Sequence, residues 1–153
     1  MVRNKCIIGT HRVRYKGLKM TSTVQTLQGA GKGFEGFLNS LRDREAGVAV
    51  LSPKRFSDAL SIDLQTLAAQ AHVHRNTLNR APSSAGVQRY LREAVRVIRA
   101  ASDLSGDVDQ AIFWYRNEPL PPFAYKTAEQ LVSDGRSDDL IRYLMSLEAG
   151  AAG

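Results

Sequence analysis

With 153 residues the chain is sized for one ordinary domain or two very small ones, which excludes a large multidomain enzyme. An apolar fraction of 43% beside 24% charged residues belongs to a soluble globular protein and not to a disordered one. The single cysteine, Cys6, excludes an intrachain disulfide and a cysteine-built zinc site and fits a reducing, cytoplasmic setting.

No apolar run approaches the roughly 18 residues of a membrane span, and Cys6-Ile7-Ile8 is too short for a signal-peptide core, so no membrane partner is expected. The net charge of +6 is unevenly placed. Residues 1–19 carry six basic groups (Arg3, Lys5, Arg12, Arg14, Lys16, Lys19) and no acid, whereas residues 20–153 carry 15 of each sign. The basic leader reads either as sequence upstream of a start at Met20 or as an arm for nucleic acid or an acidic partner. Farther on, residues 54–99 carry eight basic and three acidic groups, and residues 100–153 carry four basic and nine acidic ones. A basic middle and an acidic end predict two modules, only the first of which faces an anion.

Residues 21–36, rich in Thr, Ser, Gln and Gly, read as a tether. Gly31, Gly33 and Gly36 match G-x-G-x-x-G, the dinucleotide-binding spacing, but no strands follow to build a parallel sheet, so this reading is set aside. Phe34, Phe37, Leu38 and Leu41 share the 3.6-residue period of a helix, which Arg42 to Glu45 continue up to Gly47. Ser52-Pro53 predicts an N-cap with proline in the first turn of a short helix through Leu60. Helices over 62–70 and 74–80 follow, with a tight turn at 71–73 between them. A long helix is expected over 86–103, with Val87, Tyr90, Leu91, Ala94, Ile98 and Ala101 on one face and Arg89, Arg92, Arg96 and Arg99 on another. Further helices are expected over 107–117, 127–133 and 138–147. The fold class read from these patterns is all-α.

The stretch Leu67-Ala68-Ala69-Gln70-Ala71-His72-Val73-His74-Arg75-Asn76-Thr77-Leu78 has the order of a helix-turn-helix. That motif needs a small residue where two helices cross, a turn four positions later, an apolar residue directly after it and another five farther on. Ala68, His72, Val73 and Leu78 stand at those places. The turn calls for positive φ, which usually selects glycine, and His72 tolerates it better than a β-branched residue does. The second helix then directs His74, Arg75, Asn76, Thr77, Asn79 and Arg80 at DNA, arginine suiting guanine edges and asparagine adenine edges. The arginine row at 89, 92, 96 and 99 reads as a phosphate contact, a partner surface or a solvated face. Because one short helix reads few base pairs, a homodimer on operator DNA is expected.

Past residue 104 come a Trp-bearing helix (Ile112-Phe113-Trp114), an Asn117-Glu118-Pro119-Leu120 turn, Thr127-Ala128-Glu129-Gln130-Leu131-Val132, Gly135, and a last helix reaching Gly150. Placed after a helix-turn-helix, this order resembles the Xre/MbcA/ParS antitoxin family, whose members join a Xre-type helix-turn-helix to a small helical toxin-binding domain. Pro121-Pro122-Phe123 stands where the family has Gly-Gly, and Ala128 where it has proline. The resemblance implies an antitoxin that neutralises a toxin encoded beside it, often a RES-domain enzyme that consumes NAD, and that represses its own operon. It places the toxin contact on Arg136, Leu144, Leu147, Glu148, Ala149 and Gly150, with the C-terminal segment packing near or into the toxin's active site. A site for the NAD pyrophosphate must offer cations or N–H donors, so the terminal carboxylate of the small-residue tail, or Glu148, would then stand where a phosphate belongs. Trp114, Phe113 and Tyr143 read as core.

The expected organisation is a basic leader, tether and first helix over 1–46, a helix-turn-helix domain over 47–104 and a toxin-binding domain over 105–153. The alternative is a plain dimeric helix-turn-helix regulator with no toxin partner. An enzyme is not expected. His72 and His74 are spaced wrongly for metal ligation from one helix face, no G-x-S-x-G is present, and no cofactor is implied.

Overall fold

The structure, a computed structural model, describes residues 13–15, 18–20, 33–47 and 49–152. Most of the leader and tether, Gly31 among them, lies outside the described residues. Within the leader, β1 (Val13–Tyr15) and β2 (Leu18–Met20) pair antiparallel, with Val13 opposite Met20, which an arm without regular structure does not anticipate. Apart from this ribbon the regular structure is helical. Eight α-helices occur among the described residues: α1 (Phe34–Leu41), α2 (Pro53–Leu60), α3 (Leu64–Gln70), α4 (Arg75–Arg80), α5 (Ala85–Ser105), α6 (Val108–Asn117), α7 (Ala128–Ser133) and α8 (Ser137–Ala152). None is long and apolar enough to cross a membrane.

Local chemistry starts most of them. The Ser52 hydroxyl accepts from the Arg55 N–H at the head of α2, and the Asp63 carboxylate accepts from Thr66 N at 2.7 Å at the head of α3. Asp107 caps α6, and Thr127 with Gln130 closes a reciprocal capping box on α7. Non-local pairing ends α1 early. Ser52 N donates to Leu41 O and Asp43 N to Val50 O, both at 2.8 Å, so the backbone leaves the helix at Arg42 instead of running on toward Gly47. At the other end the sequence underestimates α8, which continues through Gly150 to Ala152.

Helix α5 is the axis of the molecule. Helices α1, α2, α6, α7 and α8 and strand β2 all contact it. Eleven of its 21 residues are therefore buried, too many for the single stripe of a surface helix. One continuous core runs from Leu41 through Phe56, Leu67, Leu78, Leu91 and Ile98 to Trp114, Leu131, Leu140 and Leu144. Near the boundary expected at residue 104, Gly106 with φ of 77° turns the chain from α5 into α6, and one core runs across this point.

Gln88 is the polar exception inside this core, 3% exposed. Its amide carbonyl accepts from Leu51 N at 3.0 Å, and its NH₂ donates to Leu51 O and Pro82 O, each at 2.8 Å. One side chain thereby satisfies both backbone groups of Leu51, which no helix or sheet ladder serves. Each buried group orphaned by its removal costs about 1–3 kcal/mol, so Gln88→Met should destabilise the fold by roughly 2 kcal/mol or more. Urea unfolding checks this; a variant as stable as the parent would show that the 51–52 backbone is satisfied some other way.

Candidate nucleic-acid interface

Helices α3 and α4 are joined by a turn in which Val73 N donates to Ala68 O at 3.0 Å and His72 N to Ala69 O at 3.1 Å. His72 has φ of 54°, the left-handed conformation that the spacing requires at this place. Its imidazole serves a further purpose that glycine would not: Nε2 lies 2.8 Å from Ser133 O. A carbonyl only accepts, so Nε2 carries the proton in this contact. Ser133 Oγ in turn donates to Gln70 O at 2.8 Å, and the turn is tied to α7 by both.

Leu67, Ala68 and Leu78 are buried, which fixes the face that α4 turns outward. On that face His74, Arg75, Asn76, Asn79 and Arg80 are exposed, and Thr77 is half-buried. His74 is the N-cap of α4, its Nδ1 accepting from Asn76 N at 3.3 Å. Among the described residues no carboxylate pairs with Arg75 or Arg80. Two guanidinium groups and two carboxamides thus stand together in solvent.

The arginine row on α5 is more occupied than its sequence suggests. Arg96 bonds Asp138 of α8 at 2.8 Å and Glu93 at 3.3 Å. Arg99 lies 3.8 Å from Glu35 and 5.2 Å above the Phe34 ring. Arg89 alone of the four has neither a carboxylate partner nor a hydrogen bond among the described residues.

The residues expected to contact a toxin do not converge. Leu144 is 1% exposed, a core residue packed through the α8 stripe that it shares with Leu140, so it is not available at the surface. Arg136 precedes α8, pairing with Asp139 at 2.9 Å and lying 5.2 Å over the Phe123 ring. Leu147 is half-buried, while Glu148, Ala149 and Gly150 are exposed near the far end of α8. Glu148 is twelve positions after Arg136, about 18 Å along the helix axis, so Arg136 is not part of that patch. Trp114 is buried as expected, whereas Phe113 is 64% exposed.

A partly buried polar cluster is not signalled by the sequence. The Tyr90 hydroxyl donates to Gln70 Oε1 at 2.9 Å, Arg116 Nη1 donates to Leu60 O, and Arg116 Nε sits 3.7 Å from Glu129 Oε1. The hydroxyl of fully buried Tyr115 faces Tyr90. Burial, outweighing the Gln70 hydrogen bond and the Arg116 charge, raises the Glu129 pKa. Nothing in the sequence around Glu129 distinguishes it from the other carboxylates of the acidic end. Compared with known protein families, characterised proteins and solved structures, the chain matches none.

A carboxyl whose pKa is raised by folding stabilises the fold below its unfolded value, and that contribution is lost as pH rises through the folded value. Glu129→Gln should therefore become progressively more favourable relative to the parent between about pH 4 and pH 7. Denaturant midpoints across that range test this; a constant or opposite difference would mean that the Arg116 charge outweighs burial.

Proposed function

We propose that this protein is a DNA-binding antitoxin of the cytoplasm, a homodimer that reads operator DNA with α4 and holds a cognate toxin through its C-terminal half. The observation that carries the DNA reading is the α3–turn–α4 geometry: a left-handed residue at the turn, a small buried residue at the crossing, and an outward face of uncompensated arginine and asparagine. Those side chains match the donor and acceptor patterns of guanine and adenine in the major groove. A helix-turn-helix inserts the start of its second helix into that groove, which is where His74, Arg75 and Asn76 stand. The antitoxin reading rests on the order of pieces that resembles the Xre/MbcA/ParS family, with the Trp-bearing α6 and the capped α7 following α5. A RES-type, NAD-consuming enzyme is the toxin class that this resemblance favours.

Occlusion falls to the last turns of α8, where Leu147, Glu148, Ala149 and Gly150 present one carboxylate among small residues. A site that binds the pyrophosphate of NAD must offer cations or N–H donors, and Glu148 would answer them.

Two measurements test the two halves. After selection of a preferred duplex, Arg75→Ala should cost roughly 1–3 kcal/mol of base discrimination, whereas Arg89→Ala should weaken binding to all sequences and reduce its salt dependence. A parent protein with no duplex preference, or α4 variants that bind like the parent, would end the DNA reading. Co-expressed with the product of the neighbouring reading frame, a chain lacking residues 148–153 should still form the complex yet leave the toxin active. Full inhibition by that shortened chain would overturn occlusion.

A further inference from the structure

On the side of α5 served by α1 lies a groove of about 340 Å³. Its floor is apolar: Phe34 and Leu38 from α1, Leu51 from the connection, and Val95 from α5. Its rim is cationic, formed by Arg42, Arg92, Arg96 and Arg99. Among the described residues no carboxylate lines it. Arg42 donates to the Asn39 carboxamide at 2.8 Å and Arg92 to the Ala49 carbonyl at 3.4 Å, so both are held in place by neutral partners. Among the described residues neither pairs with an acid, whereas Arg96 and Arg99 are shared with exposed carboxylates at 2.8 to 4.0 Å.

We propose that this groove docks an acidic amphipathic segment of a partner protein, its apolar side chains on Phe34, Leu38 and Val95 and its carboxylates on Arg42 and Arg92. The charge selects the occupant. The chain's own leader has six basic groups and no acid, and residues 20–32 contribute only Lys32, so neither can supply carboxylates to Arg42 and Arg92. A duplex offers phosphates to the rim but no apolar projection to the floor. An amphipathic acidic segment supplies both at once, in the manner of helix-in-groove recognition. Electrostatic complementarity then sets its orientation and speeds its capture. This surface is built from α1 and α5 and does not depend on what α4 binds.

The probe is a fluorescein-labelled 15-residue peptide with leucines at i, i+4 and i+7 and glutamates at the flanking positions, titrated into the full chain and followed by anisotropy. Saturable binding that weakens with added salt is expected, and Arg42→Glu with Arg92→Glu should lower affinity by about tenfold or more. The milder pair Arg42→Gln and Arg92→Gln should lower it less and guards against misfolding, with thermal melts confirming that each variant is folded. Arg75→Ala should leave peptide affinity unchanged, so loss of the DNA reading and loss of this one are separable. The proposal is overturned if the parent shows no saturable binding, or if a peptide with glutamine for leucine binds as well. It is likewise overturned if the charge-reversed chain loses duplex DNA along with peptide, which would make the rim a phosphate contact. A parent dimer that the charge reversal dissociates would identify a second copy as the occupant and would also end it.

Discussion

Because Gln88 commits its whole carboxamide to Leu51 and Pro82, the segment entering α2 and the loop leaving α4 are both anchored to the same turn of α5. That attachment is one of the constraints that place the α3–α4 pair against the long helix. The connection at 49–52 fixes where α2 begins, α2 and α3 bury Phe56, Leu60 and Leu67, and α4 can then only face outward. The hydrophobic contribution is large but indifferent to register. The amide at residue 88 is directional, and it sets which turn of the long helix meets which loop.

The same helix makes the two expected modules mechanically one. His72 and Ser133 join the turn to α7, Arg96 and Asp138 join α5 to α8, and Gln70 with Tyr90 continues into the polar cluster around Arg116 and Glu129. A displacement of the end of α7 therefore acts on Ser133, whose carbonyl is hydrogen-bonded to the left-handed residue His72 between α3 and α4. Such a connection is a physical route for linking occupancy of one face to the geometry of the other, carried by discrete hydrogen bonds.

What the sequence discloses is mostly what is local. Ser52-Pro53, Asp107 and Thr127 with Gln130 announce their helices because a cap needs only residues within one turn of it. His72 was legible for a related reason: motif spacing specifies the sign of φ at one position. The misreadings all involve partners distant in the chain. Nothing near Arg42 says that Val50 and Leu51 will take over its backbone, and nothing near Arg96 announces Asp138. Nothing near Glu129 announces Arg116 of α6. Leu144 fits a contact stripe or a core stripe equally well by period, and only the position of α5 decides between them. Gly150 shows the limit of punctuation by glycine, since α8 passes through it.

Trp114 is the chain's only tryptophan and is 2% exposed, packed where α6 meets the long helix. Intrinsic fluorescence excited at the indole therefore surveys one place, the part of the continuous core that α6 contributes. Its emission will stay blue while that part is intact and shift red when water enters. Ligands settling on the periphery will register in this signal only to the extent that they disturb packing there.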